Sequence, residues 1–240
     1  MIAMRALYLA TAFLIASLSA AHAIDELAGG QMSDGTPVPY VLTTNAPAGI
    51  AYAVILMPGG RGILNPRMEN DRIALSMGGN FLIRSRRLFA DSRFVAASTD
   101  ATSTPDRILA IVRDLERRYG KLDVYVVGTS RSTEATMRLA ESIDGQVAGF
   151  VHSSSMNSIS GLDTRGRKSR HLIVIHEKDL CRVTDPSASR RSSTRYGTPL
   201  IAMEGGKSTG DECEALSHHG YNGIERETVG KIKDWIAQGR

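Results

Sequence analysis

Six short runs in this chain are apolar almost from end to end: 51–57, 94–98, 122–127, 148–152, 171–176 and 199–203. Unbroken hydrophobicity of this kind marks strands covered on both faces, as in parallel sheets, whereas a half-solvated strand would alternate. A further strand over 39–43 is expected at the sheet edge, preceding these six. Between the runs the apolar period lengthens to that of a helix. Ile108, Ile111, Val112 and Leu115 share one stripe behind Thr104, a candidate cap, and Pro105 in the first turn. Thr136, Leu139, Ala140 and Ile143 form a second stripe, and Val229, Ile232, Trp235 and Ile236 a third. Asn80 can cap another helix, running through Phe81 and Leu88. Strands alternating with amphipathic helices predict the α/β class: a mostly parallel sheet with helices on both faces. The stretch from Ser153 to Arg170 is short and polar, so no large cap domain is expected over the sheet.

The first residues follow a different pattern. Arg5 precedes an apolar stretch over 6–18, too short to span a bilayer, and Ala21-His22-Ala23 suits a signal peptidase. Residues 1–23 read as a signal peptide and 24–240 as one domain, a normal size for a single core. The mature protein is expected to be periplasmic or secreted, with no stable membrane insertion; an uncleaved anchor is the alternative. The net charge of +4 is modest and its positive residues are interspersed with acids, which argues against a nucleic-acid partner. Export also bears on the two cysteines, Cys181 and Cys213, which are expected to form a disulfide. Two separate buried thiols are the alternative, and neither cysteine has a second metal ligand at zinc-like spacing.

The candidate chemistry begins at Gly128-Thr129-Ser130-Arg131-Ser132, between an apolar run and a helical pattern. A strand feeding a helix through Gly-x-Ser-x-small is the form of a nucleophile elbow, whose flanking positions must be nearly free of side chain. Ser132 replaces the usual second glycine. A serine nucleophile needs a general base and a third group that orients it. Asp179, just beyond the strand at 171–176, is the expected acid, with Glu177 and Asp185 as competitors; Asp185 follows Thr184 at what reads as a helix start. After the last strand, Ser217-His218-His219-Gly220-Tyr221 supplies His219 as the expected base, with His218 as the alternative. A disulfide from Cys181 to Cys213 would tie the acid loop to the histidine loop. Pro58-Gly59-Gly60-Arg61-Gly62 follows another strand, and its glycines let backbone N–H groups approach a substrate. The backbone N–H groups of Gly60 and Arg131 are the expected oxyanion donors, with Arg61 as the substitute for Gly60.

The order Ser130, Asp179, His219, taken with Pro58-Gly59-Gly60, Asn80-Phe81-Leu82, Arg84-Ser85-Arg86, and Cys213 with His219-Gly220-Tyr221, resembles the α/β-hydrolase superfamily, and within it small exported bacterial hydrolases. The resemblance extends over nearly all of the mature region and implies that fold and a serine-hydrolase mechanism. No metal or organic cofactor is called for. The activity expected is hydrolysis of small or exposed carboxylic esters. A peptidase, thioesterase or amidase on the same fold is the alternative, as is a noncatalytic binding protein. Arg61, Arg84, Arg86 and Arg131 could place positive charge near the site and favour anionic substrates, or form surface ion pairs instead.

Overall fold

The computed structural model describes residues 23–45 and 48–239, so the expected signal peptide lies almost wholly outside the described residues. In chain order the strands are β1 (Ile24–Gln31), β2 (Pro37–Thr44), β3 (Tyr52–Met57), β4 (Arg67–Glu69), β5 (Arg72–Ala74), β6 (Phe94–Ser98), β7 (Asp123–Thr129), β8 (Gly149–Ser153), β9 (Arg170–His176) and β10 (Leu200–Met203). The helices are α1 (Phe81–Arg84), α2 (Arg86–Phe89), α3 (Pro105–Tyr119), α4 (Ser132–Ser142), α5 (Pro186–Tyr196) and α6 (Glu225–Ala237). Eight strands form one sheet in the order β1-β2-β6-β3-β7-β8-β9-β10, while β4 and β5 make a separate small hairpin. From β6 to β10 every pairing is parallel; β1 and β2 are antiparallel.

All six expected apolar strands are present within a residue or two. Alternate residues of each feed two cores. Ala53, Ile55 and Met57 face the side that carries α3 and α4, with Ile108, Ile111, Leu115 and Leu139. Tyr52, Val54 and Leu56 face the other side, where Phe81, Phe89, Val229, Ile232 and Ile236 pack. Full burial of a side chain such as Ile55 or Leu56 contributes roughly 1.5–3 kcal/mol. A smaller cluster of Ile159, Leu162, Ile173, Ile175 and Ala188 lies under α5.

Three expectations require correction. The strand at 39–43 is the middle of β2, second in the sheet; the edge on that side is β1, whose alternating polar residues and Gly29-Gly30 conceal it. Gly30 is required there because a Cβ would stand 2.5 Å from the Ala110 carbonyl oxygen of α3. Thr104 occupies the cap position of α3 but its side chain makes no capping bond; the Thr104 N–H instead donates to Thr102 Oγ1 at 3.0 Å. The helix behind Asn80 breaks at Ser85 into two single turns, α1 and α2. Asn80 does cap the first, through Oδ1 to the Leu82 N–H at 3.1 Å. At the break, the Arg86 guanidinium donates to the Ile83 carbonyl at 2.8 Å.

Candidate active site

Ser130 lies between the end of β7 and the start of α4, with φ of 54°, in the left-handed region that a serine adopts only at a cost. The turn is closed by close approaches on both sides. A Cβ on Gly128 would stand 2.9 Å from the Ser132 carbonyl oxygen, and one on Gly59 would stand 2.9 Å from Ser130 Cβ. Ser132, the departure from the two-glycine pattern, has a structural task of its own. Its hydroxyl accepts the Thr129 N–H at 2.7 Å and lies 2.9 Å from the Met57 carbonyl oxygen, joining the elbow to β3. Thr133 Oγ1 donates to the Ser130 carbonyl at 2.7 Å and completes the turn.

Asp179 and His219 meet, with His219 Nδ1 2.9 Å from Asp179 Oδ2. Both are buried. Since an ionised carboxylate only accepts, this contact puts the proton of a neutral His219 on Nδ1 and leaves Nε2 as an acceptor. Asp179 Oδ1 takes the Cys181 N–H at 3.0 Å. The acid's competitors are engaged elsewhere: Glu177 pairs with Arg190, and Asp185 caps α5 by accepting the Ser187 N–H at 2.8 Å. The competing histidine, His218, stacks on His176 with ring centroids 4.6 Å apart.

The histidine turn is held from below. Ser154 Oγ donates to the His219 carbonyl at 2.7 Å, and the Tyr221 hydroxyl donates to the Val174 carbonyl of β9 while accepting the Ser154 N–H. Gly220 admits no side chain, because a Cβ would lie 2.0 Å from the Ala215 carbonyl oxygen. Cys181 and Cys213 are disulfide-bonded, with Cα atoms 4.7 Å apart, and link the Asp179 loop to the segment before His219.

Thr184 escaped the sequence reading. Its buried hydroxyl lies 3.2 Å from Asp179 Oδ2 and 3.1 Å from His219 Nδ1, touching both members of the pair. A threonine preceding a helix cap carries no sequence signal of this role; only the turn Asp179–Thr184 brings it back onto the acid.

Ser130, Gly60, Arg61, Arg131 and His219 all line one cavity of about 610 Å³, together with Met77, Phe81, Met156 and the disulfide. Among the described residues, the N–H groups of Gly60, Arg61 and Arg131 have no protein acceptor. Gly60 has φ of 58°, within a turn closed by the Gly62 N–H on the Gly59 carbonyl at 2.9 Å. The four arginines divide. Arg84 bonds Glu225 and the carbonyls of Gly79 and Gly220, tying α1 to the histidine turn, and Arg86 pairs with Asp25 at 2.9 Å. Arg61 and Arg131 remain exposed on the cavity wall. Among the described residues no group of three or more His, Cys, Asp or Glu side chains is placed to hold a metal ion, and no helix is long and apolar enough to cross a membrane.

No family model matches the sequence, and no curated protein matches it. Solved structures do. A serine hydrolase without a lid from Xanthomonas campestris matches with a TM-score of 0.55 at 10% identity, covering 87% of this chain and 94% of its own. Est1E from Butyrivibrio proteoclasticus matches with a TM-score of 0.59 at 15% identity, covering 90% and 98%. A cold-adapted esterase from an Arctic intertidal metagenomic library gives 0.58 at 12%, covering 90% and 94%. An eight-stranded, mostly parallel sheet flanked by helices, together with these likenesses over 87–90% of the chain, gives the protein the α/β-hydrolase fold.

Proposed function

We propose that the protein is an exported serine hydrolase that cleaves carboxylic esters through Ser130, His219 and Asp179. The observation that carries this reading is the buried His219–Asp179 hydrogen bond of 2.9 Å on the wall of the cavity that also receives the strained Ser130. His219 Nε2, left as an acceptor, takes the proton from Ser130 Oγ as that oxygen bonds to the ester carbonyl carbon, and Asp179 stabilises the imidazolium. The N–H groups of Gly60 and Arg131 receive the oxyanion; Arg61 is the substitute donor for Gly60. The carbon–alkoxide bond then breaks, the proton passes from His219 to the leaving alcohol, and an acyl-Ser130 remains. Water, deprotonated by the same imidazole, attacks the acyl carbon, and the carboxylic acid departs as Ser130 recovers its proton. Ser130 and His219 line the same cavity without a hydrogen bond between their side chains, and catalytic hydrogen bonds of this kind are often long in unliganded enzymes and tighten with substrate bound.

The disulfide and the leader-like first 23 residues support export. The absence of a cap domain among the described residues favours small or exposed esters over a long acyl chain; the structural neighbours include esterases and also peptidases. Peptides, thioesters and amides would pass through the same acyl-transfer steps, and a substrate panel separates them. The test is covalent: an alkyl fluorophosphonate should label Ser130, and Ser130→Ala should lose both labelling and hydrolysis of short 4-nitrophenyl esters. Undiminished turnover by Ser130→Ala rejects the assignment.

A further inference from the structure

We infer that the substrate's acyl group carries a carboxylate a few bonds from the scissile carbonyl, held by the side chains of Arg61 and Arg131; this rests on the hydrolase reading above. Both arginines line the cavity around Ser130, both are exposed, and neither has an ion-pair partner among the described residues. The other arginines of the neighbourhood are spent on structure, Arg84 on Glu225 and Arg86 on Asp25. Position adds to availability. Arg61 follows Gly60 and Arg131 follows Ser130, so the two side chains spring from the same backbone that offers its N–H groups to the oxyanion. Both side chains line the cavity that a short acyl chain on Ser130 would occupy.

The charge of the wall selects the kind of anion. Glu214 is the acidic side chain lining the cavity, on the segment next to Cys213. Arg61 and Arg131 against Glu214 leave one positive charge in excess among the arginines and acids of the wall, reinforced by the N-terminal end of the 11-residue α4 directly behind Ser130. A single carboxylate balances that excess, and the planar guanidinium fork matches its two oxygens. Between the carbonyl and the carboxylate, Met77, Phe81 and Met156 offer apolar contact to a few methylene groups.

The experiment compares mono-4-nitrophenyl adipate with its neutral methyl ester, 4-nitrophenyl methyl adipate, on the same preparations. The native protein should favour the half-ester in kcat/KM by about tenfold or more at low ionic strength, and the preference should shrink in 0.5 M salt, where exposed charges are screened beyond roughly 4 Å. Arg61→Gln and Arg131→Gln should each lower the ratio several-fold, with Arg61→Lys intermediate. Because each ratio is internal to one variant, partial misfolding cancels. A native ratio near one, or a ratio indifferent to salt and to both substitutions, overturns the inference while leaving the esterase reading intact. Labelling gives a second readout that does not require turnover of either ester. Adipate should protect Ser130 from the fluorophosphonate more than 1,6-hexanediol does; equal protection overturns the anion site. Failure of Ser130 to label at all removes the hydrolase reading and this inference with it.

Discussion

The Ser132 hydroxyl lies 2.9 Å from the Met57 carbonyl oxygen while receiving the Thr129 N–H, so one small side chain fastens the nucleophile turn to the neighbouring strand that leads to Gly59-Gly60. The elbow and the expected oxyanion loop are thereby held in a common frame. Replacing Ser132 with glycine would restore the more usual motif and yet leave the Thr129 N–H without its buried partner. We expect Ser132→Gly to destabilise the protein by about 2 kcal/mol, from the orphaned donor and the added backbone freedom. A urea titration checks this, and an unchanged or higher midpoint would refute the fastening role.

Thr184 is expected to be a positioning residue. Its hydroxyl contacts Asp179 Oδ2 and His219 Nδ1, and Thr184→Val keeps the shape while removing the polar contact. In steady-state kinetics on a neutral ester, kcat should fall about tenfold, equivalent to about 1.4 kcal/mol, with KM little changed. Thr184→Ser should recover most of the loss. A Val variant as fast as the native protein, or a Ser variant as slow as Val, would leave Thr184 a packing residue only.

The disulfide joins positions 32 residues apart in sequence. Opening it should cost roughly 3–4 kcal/mol through the freedom regained by the unfolded chain. It should also lower turnover, since Asp179 takes the Cys181 N–H and the histidine turn follows Cys213. Comparing urea midpoints and ester turnover of oxidised and reduced protein tests both. Loss of stability with full retention of turnover would confine the bond to a structural part.

A buried histidine pair predicts sensitivity to acid. Thr136 Oγ1 donates to the Thr133 carbonyl at 2.9 Å and so accepts from His152 Nδ1, at 2.8 Å. His152 Nε2 is then the acceptor for His171 Nδ1, at 3.2 Å, and both rings are neutral. His171 Nε2 is buried without a partner. Burial, aided by the nearby Arg167 and opposed by Asp144, lowers the pKa of His171 to about 4, and burial, aided by His171, lowers His152 well below its ordinary value. Both folded-state values lie below the unfolded value of about 6.5, so the unfolded chain binds more protons in between. Stability should therefore be greatest above pH 6.5 and fall as the pH drops toward 4, by about 3 kcal/mol from His171 alone. His171→Phe should flatten that slope in thermal melts across this range. An equally steep slope in the variant would place the acid sensitivity elsewhere.

Much of the architecture was legible because parallel strands are apolar on both faces, so β3, β6, β7, β8, β9 and β10 announced themselves without an alternating pattern to confuse them. β1 was missed for the opposite reason: at an edge, with its burial alternating and glycines admitting α3, its sequence reads as a turn-rich segment. At the candidate site, local sequence was enough to place the sharp turn at Ser130, which requires glycine at 128, and to put His219 beside Gly220, where no side chain fits. Asp179 is preferred as the acid for its place just beyond the strand at 171–176; its contact with His219, and the partners that engage Glu177 and Asp185, carry no local signal. Arg84 and Arg86 likewise looked available until Glu225 and Asp25, both distant in sequence, claimed them.

The seating of the histidine turn on Ser154 and Tyr221 has a consequence for biosynthesis. A chain growing from its N-terminus completes the elbow and then the Asp179 loop, but the imidazole and the phenol that anchors it come only after the last strand of the sheet. A chain stopped before them can thus possess the entire sheet and still lack the proposed base for its serine.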